Sequence, residues 1–153
     1  MPRDLEILFS GKGFTERHGC ALPLVTVDSG GYPRAALLSF GEIRAHSGRR
    51  LLVAVQTRSH TAANLIRRPQ AMLYYLSRRY CVFVQARAGH GRSCDCDPER
   101  QIFPLSVFRV KVDRAALREG PVEILTGPLF SAAHPDQIFS QPLFDELGES
   151  RAS

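Results

Sequence analysis

The residues best suited to chemistry lie at 56–61, Gln-Thr-Arg-Ser-His-Thr, between an apolar run at 51–55 and Ala62, Leu65 and Ile66 at helical spacing before Pro69. This pattern predicts a buried strand that stops in a polar turn and becomes a short helix. The first turn of such a helix carries backbone N–H groups with no intrahelical acceptor, and the positive end of the helix dipole lies beside them. A phosphate or carboxylate suits that place. Ser59 or Thr61 can cap the helix, while Arg58 and His60 can offer charge or donors to an anion. The same hydroxyls also serve as caps for the helix's own backbone, so these residues alone leave both readings open.

A second group, Cys94-Asp95-Cys96 with His90 just upstream, has the residue types of a zinc site. Its spacing is not the common Cys-x-x-Cys and no second pair follows, so no metal site is assigned. Together with Cys20 and Cys81 these make four cysteines, too few for a dense disulfide framework, and all four are expected as thiols in a reducing compartment. Cys81, inside an apolar run, reads as a small buried hydrophobe. No side chain stands out as a catalytic acid or base.

The chain of 153 residues is 44% hydrophobic and 23% charged, enough for one domain with a real core. We expect a single domain over 1–153, its core at about 20–113 and a C-terminal extension at 114–153. No apolar run reaches the roughly 18 residues of a membrane span, and Met-Pro-Arg-Asp-Leu-Glu lacks the layout of a secretory signal, so the expected compartment is the cytoplasm. The formal charge of +5 comes almost wholly from arginine, since Lys12 and Lys111 are the only lysines. The arginines fall in short pairs with no long basic run, which favours a solvated surface over nucleic-acid binding.

Elements that would position these residues can be placed in order. An amphipathic lead-in at 5–20 precedes strands at 22–28 and 34–43, joined as a hairpin by a turn in which Gly30-Gly31 supplies positive φ. A reversal at 46–49 leads to the strand that begins at Leu51. After the helix, 71–76 and 80–88 form a second hairpin, whose near-continuous apolar runs imply cover on both faces, as in a barrel or at a subunit contact. A loop at 89–100 leads to a last long strand at 103–113, with Phe108, Val110 and Val112 on one face and Arg109 and Lys111 opposite. Beyond it, 122–125 reads as a short strand, and Phe139, Leu143, Phe144 and Leu147 are expected to pack the tail onto the barrel or a second subunit. The fold class is mainly β, a six-stranded antiparallel barrel with a few short helices.

The run Gly31-Tyr32-Pro33-Arg34-Ala35-Ala36-Leu37-Leu38, then a strand, then Ser59-His60-Thr61-Ala62-Ala63-Asn64-Leu65-Ile66-Arg67-Arg68-Pro69 and Ala71-Met72-Leu73-Tyr74-Tyr75, resembles the FMN-binding split-barrel family that includes pyridoxamine 5'-phosphate oxidase. The similarity covers roughly residues 20 to 113. It implies a split β-barrel working as a homodimer, with FMN in a groove between subunits and an oxidoreductase activity on a small organic substrate. It further implies that Arg34 belongs to the cofactor site, that the backbone around Leu37 and Leu38 runs beside the flavin, and that Ser59, His60 and Thr61 hold the phosphate; Ser39, Gln56, Arg58 and Asn64 complete the expected cofactor-binding residues. The oxidase has a Lys where this chain has Ser39 and an Arg-Lys pair where it has His60-Thr61. Its tryptophans and C-terminal substrate-binding arginine segment have no counterpart here, so the resemblance is to the family and not to the oxidase itself. Weaker phosphate ligation motivates an alternative, a non-catalytic, haem-binding or deazaflavin-binding relative.

Overall fold

The computed structural model describes residues 9–10, 19–46, 49–76, 80–114 and 140–149. Its strands are β1 (Ala21–Val27), β2 (Pro33–Ser39), β3 (Ile43–Ala45), β4 (Arg50–Gln56), β5 (Gln70–Leu76), β6 (Tyr80–Ala88), β7 (Arg92–Ser93) and β8 (Arg100–Arg114). Helix α1 (His60–Arg67) follows β4, and α2 (Gln141–Gly148) comes after β8. All pairings are antiparallel in one sheet of order β2-β1-β5-β6-β8-β4-β3, with β7 added beside β8. The two ends of that order, β2 and β3, are joined by a single 3-10 turn at Phe40–Glu42. Three residues span only about 10 Å, so the sheet has to curl until its ends nearly meet. That curl makes the half-closed barrel.

Leu22, Leu24, Ile43, Leu51, Val53, Leu73, Val84, Phe103 and Leu105 fill its interior, each no more than 2% exposed. A smaller cluster of Ala54, Cys94, Ile102, Leu143 and Leu147 lies between the outer side of β4–β8 and α2. Strand β4 is thus covered on both faces, Val53 and Val55 inside and Ala54 outside, which explains its unbroken apolar run. Helix α2 is fixed by Arg44, whose guanidinium donates to the Phe144 carbonyl at 2.9 Å and lies 4.5 Å from the centre of its ring. Phe139 and the strand expected at 122–125 lie outside the described residues, as does most of the lead-in, of which Phe9 is buried in the barrel.

Three features differ from the sequence reading. The strand expected at 34–43 breaks at Phe40–Glu42, and among the described residues eight strands stand where six were expected, the additional ones being the short β3 and β7. Within the first hairpin turn only Gly31 has positive φ, at 89°. In β8 the register opposite β6 passes from Val107 to Arg109 and skips Phe108. This bulge reverses the parity of the strand: Phe103, Leu105 and Val107 point inward before it, Val84 and Val82 face Val110 and Val112 after it, and Phe108 is left 58% exposed. Pro104 falls between the end of the β6 ladder at Leu105 and the start of the β7 ladder at Ile102, where its missing N–H interrupts neither.

Glu42 stitches the barrel's seam. It accepts the Ser39 N–H at 2.8 Å and the Ser39 hydroxyl at 3.2 Å, and it pairs with Arg100 at the start of β8, which also meets Asp97 at 3.2 Å. Glu42→Ala should leave the Ser39 N–H without its acceptor and Arg100 with Asp97 alone, and lower stability by about 1–3 kcal/mol. Urea unfolding checks this, and an unchanged midpoint would show that the seam holds without it.

Candidate functional site

The elbow between β4 and α1 is held by its own backbone. Ser59 N–H and Ser59 Oγ both donate to the Gln56 carbonyl, at 3.0 and 2.6 Å, and Ser59 Oγ accepts from Ala62 N–H at 3.1 Å. Ala63 N–H reaches the Ser59 carbonyl, and Thr57 N–H reaches the Glu99 carbonyl. Ser59 is therefore the N-cap, a role that occupies its hydroxyl. Among the described residues, the hydrogen bonds at this end leave the His60 and Thr61 N–H groups without a protein acceptor. Gln56, Arg58 and His60 are exposed beside them, and Thr61 is half-buried. The elbow is a cap on one side and an open pair of donors on the other.

Asn64 sits one turn further along α1 and is buried. Its side-chain amide donates to Thr26 Oγ1 of β1 at 2.9 Å, and the Thr26 hydroxyl faces the Arg34 carbonyl across the β1–β2 pair at 3.5 Å. Asn64 thus ties α1 to the sheet. Arg68, at the end of the helix, donates to the Ser29 carbonyl in the β1–β2 turn. Together these contacts set α1 against the β1–β2 hairpin.

On β2 the predicted residues divide along the strand rather than by face. Arg34 and Leu37, in its first part, are exposed, while Leu38 and Ser39 at its end are buried, and Ser39's polar groups are engaged by Glu42. Because β2 ends the sheet, every other N–H and C=O on its outer side points away from β1. A planar heterocycle carrying donors and acceptors could lie along such an edge. The structure therefore brings Gln56, Arg58, Ser59, His60 and Thr61 together, and it links the backbone carbonyl of Arg34 to Asn64 through Thr26. Leu38, Ser39 and Asn64 face the protein rather than the surface.

On the outer face of β5, β6 and β8 the register aligns Tyr74 with Phe83, their rings 6.1 Å apart, and Phe83 with Lys111. Met72, Phe83, Gln85, Arg109, Lys111 and Asp113 line a cleft of about 310 Å³ there. Cys81 shares this side and is half-buried.

A further group was not legible as a site. Glu146 of α2, buried at 6% exposure, places its carboxylate in the loop at 94–96. It accepts from Arg92 at 2.5 Å, from the Asp95 and Cys96 N–H groups at 2.9–3.0 Å, and from Cys94 Sγ at 3.0 Å, while the Cys94 and Cys96 sulfurs lie 3.2 Å apart. Desolvation pushes the Glu146 carboxyl up, but the hydrogen bonds from Cys94, Asp95, Arg92 and Cys96 outweigh it and hold it well below the usual carboxylate range. Desolvation and the bonds with Cys94 and Glu146 push the Cys96 thiol up to about 12, and burial followed by Glu146 raises Cys94. His90 is exposed and lines a neighbouring cavity with His46, Arg50 and Glu149. Glu146, 50 residues away from Cys96, is the partner that sequence spacing could not supply.

No family model matches the chain. A curated relative, the uncharacterized protein YclD of Bacillus subtilis (strain 168), is 27% identical over 136 residues, which is 88% of this chain and 85% of that protein. Among solved structures, an FMN-binding protein from Syntrophomonas wolfei subsp. wolfei is 11% identical, with a TM-score of 0.55 over 71% of this chain and 86% of the other. HutZ, a heme storage protein from Vibrio cholerae, is 17% identical, with a TM-score of 0.50 over 65% and 89%. No helix among the described residues is long and apolar enough to cross a membrane. With one curled antiparallel sheet whose ends meet at a three-residue turn, and a capped helix leaving β4, the chain has the split-barrel fold of the FMN-binding, pyridoxamine 5'-phosphate oxidase-like proteins.

Proposed function

We propose that this chain is a homodimeric FMN-binding flavoprotein that acts as an oxidoreductase on a small organic substrate. The observation that carries the reading is the elbow: its cap uses one N–H of the first helical turn and leaves those of His60 and Thr61 open beside Arg58. Two N–H donors, a helix dipole and an arginine suit a monoester phosphate. Arg34 and the outer edge of β2 are the groups offered to the rest of the cofactor. Bound FMN would supply the electron chemistry, and the chain's part would be binding and orientation.

The apolar outer face around Tyr74 and Phe83, rimmed by Arg109 and Lys111, supports pairing with a second copy. Light scattering should then report twice the mass of one chain. A second reading, a haem-binding or deazaflavin-binding relative, draws on Ser39 and His60-Thr61 standing where the oxidase has cations, and on the likeness to HutZ. Titration with FMN, haem and a deazaflavin side by side separates the two. Quenching of flavin fluorescence with a stoichiometry of one per chain supports FMN, and binding of haem or deazaflavin alone overturns it.

Arg34 gives a sharper check. Its side chain is exposed, so Arg34→Ala should leave the melting temperature nearly unchanged and weaken FMN binding by about tenfold, the loss of one charge-assisted hydrogen bond. Fluorescence titration of the variant measures it. Equal affinity would remove Arg34 from the site.

A further inference from the structure

We propose that Cys94, Cys96 and Glu146 form a binding site for a thiophilic divalent cation of the zinc class, with solvent in the fourth position. The three donor atoms lie within 4.8 Å of one another, although the cysteines come from the loop after β7 and the carboxylate from α2. Two thiolates and a carboxylate match the ligand preferences of zinc, which takes sulfur at about 2.3 Å and oxygen at about 2.0 Å. A tetrahedral ion would hold the sulfurs about 3.8 Å apart, slightly wider than the 3.2 Å between them here. Cys96 is exposed and can swing by that amount, while Cys94, at 3% exposure, is fixed. The exposed side of Cys96 also admits the solvent ligand.

Charge supports the assignment. Two thiolates and Glu146 sum to −3, Arg92 beside Glu146 contributes +1, and a divalent cation brings the group to zero. Binding replaces the two thiol protons, which leave to solvent, with no change of oxidation state. Glu146 also has an unusual position, a carboxylate on the same helix face as the buried Leu143 and Leu147, where an apolar residue would dock the helix more simply. An ion held there would cross-link α2 to the β7–β8 loop.

The test uses the full chain, reduced with a phosphine and freed of metal, titrated with Co²⁺ as the probe and with no flavin added. One equivalent should give thiolate-to-cobalt charge-transfer absorption with the visible bands of a tetrahedral ion and release two protons, and Zn²⁺ should bleach the spectrum. Cys96→Ser should abolish the charge-transfer band expected for two thiolates and weaken binding more than roughly 100-fold, since groups that merely hydrogen-bond to ligands are worth about 10–100-fold. Glu146→Gln should weaken binding while keeping the thiolate band, and His90→Ala should change nothing. Cobalt bound without a charge-transfer band, a spectrum unchanged in Cys96→Ser, or oxidation of the pair to a disulfide in place of binding would overturn the proposal. If Cys96→Ser does not fold, alkylation of the wild type decides. Zn²⁺ should protect Cys94 and Cys96 and not Cys20 or Cys81, and equal modification with and without Zn²⁺ would overturn the site. Neither result depends on whether FMN binds.

Discussion

Phe103→Ala is expected to lower stability by about 3–5 kcal/mol, the range for deleting a buried aromatic ring and leaving its cavity. Phe103 has no exposed surface, faces Val53 on β4, and belongs to the barrel's interior cluster. Because a domain of this size is stable by only about 5–15 kcal/mol, the change removes a large share of the total. At about 2–4 °C per kcal/mol the melting temperature should fall by roughly 6–20 °C. The ring is also confined from outside, for a Cβ at Gly91 would lie 2.6 Å from it. Gly91→Ala should therefore destabilise through overpacking, by about 1–3 kcal/mol. Urea titrations of the two variants measure both effects. A loss below 1 kcal/mol for Phe103→Ala would mean that the half-closed barrel is not packed around this ring.

Local chemistry explains which parts of this arrangement were legible in the sequence. The strand, elbow and helix at 50–67 follow from an apolar run, a serine that caps and a proline that stops, all within 20 residues. The two hairpins also follow, since β1 and β2, and β5 and β6, are antiparallel pairs close together in the chain. The bulge at Phe108 was not readable, because 103–112 alternates well enough to look like one strand with a constant face, and only the paired register with β6 shows the slip. The break at Phe40–Glu42 had the same cause: Glu42 ends the strand by reaching Ser39 and the distant Arg100, a contact set by the closure of the sheet. Of the site residues, those at the elbow stand together because they are adjacent in the chain. Leu38, Ser39 and Asn64 turn toward the protein because burial of β2 and α1 depends on the order β2-β1-β5, which no local pattern specifies.

Glu146 carries the other large expectation. Its carboxylate collects Arg92, two backbone N–H groups and the Cys94 thiol, so Glu146→Ala would strand several donors at once, a change of the order of 3 kcal/mol. Arg92, about one-third exposed, can turn to water, and α2 is held separately by Leu143, Leu147 and Arg44. The penalty should therefore appear as undocking of α2 rather than as unfolding of the barrel. Amide exchange should speed up by about 100-fold in α2 and the 94–96 loop while the β4 and β8 amides keep their protection; uniform loss across the sheet would make Glu146 part of the global core. Metal-free protein should show the matching pH dependence. The folded carboxyl titrates below its unfolded value of about 4.3, so its contribution is complete above that value and disappears as pH falls through the folded one. Cys96 works in the opposite sense: raised to about 12 from an unfolded thiol near 8.5, it favours docking below the lower figure and ceases to do so between the two. Protection of α2 should be greatest between about pH 5 and 8 and should decline on the alkaline side before the barrel itself is affected, because the docked thiols resist ionisation there while the released ones do not.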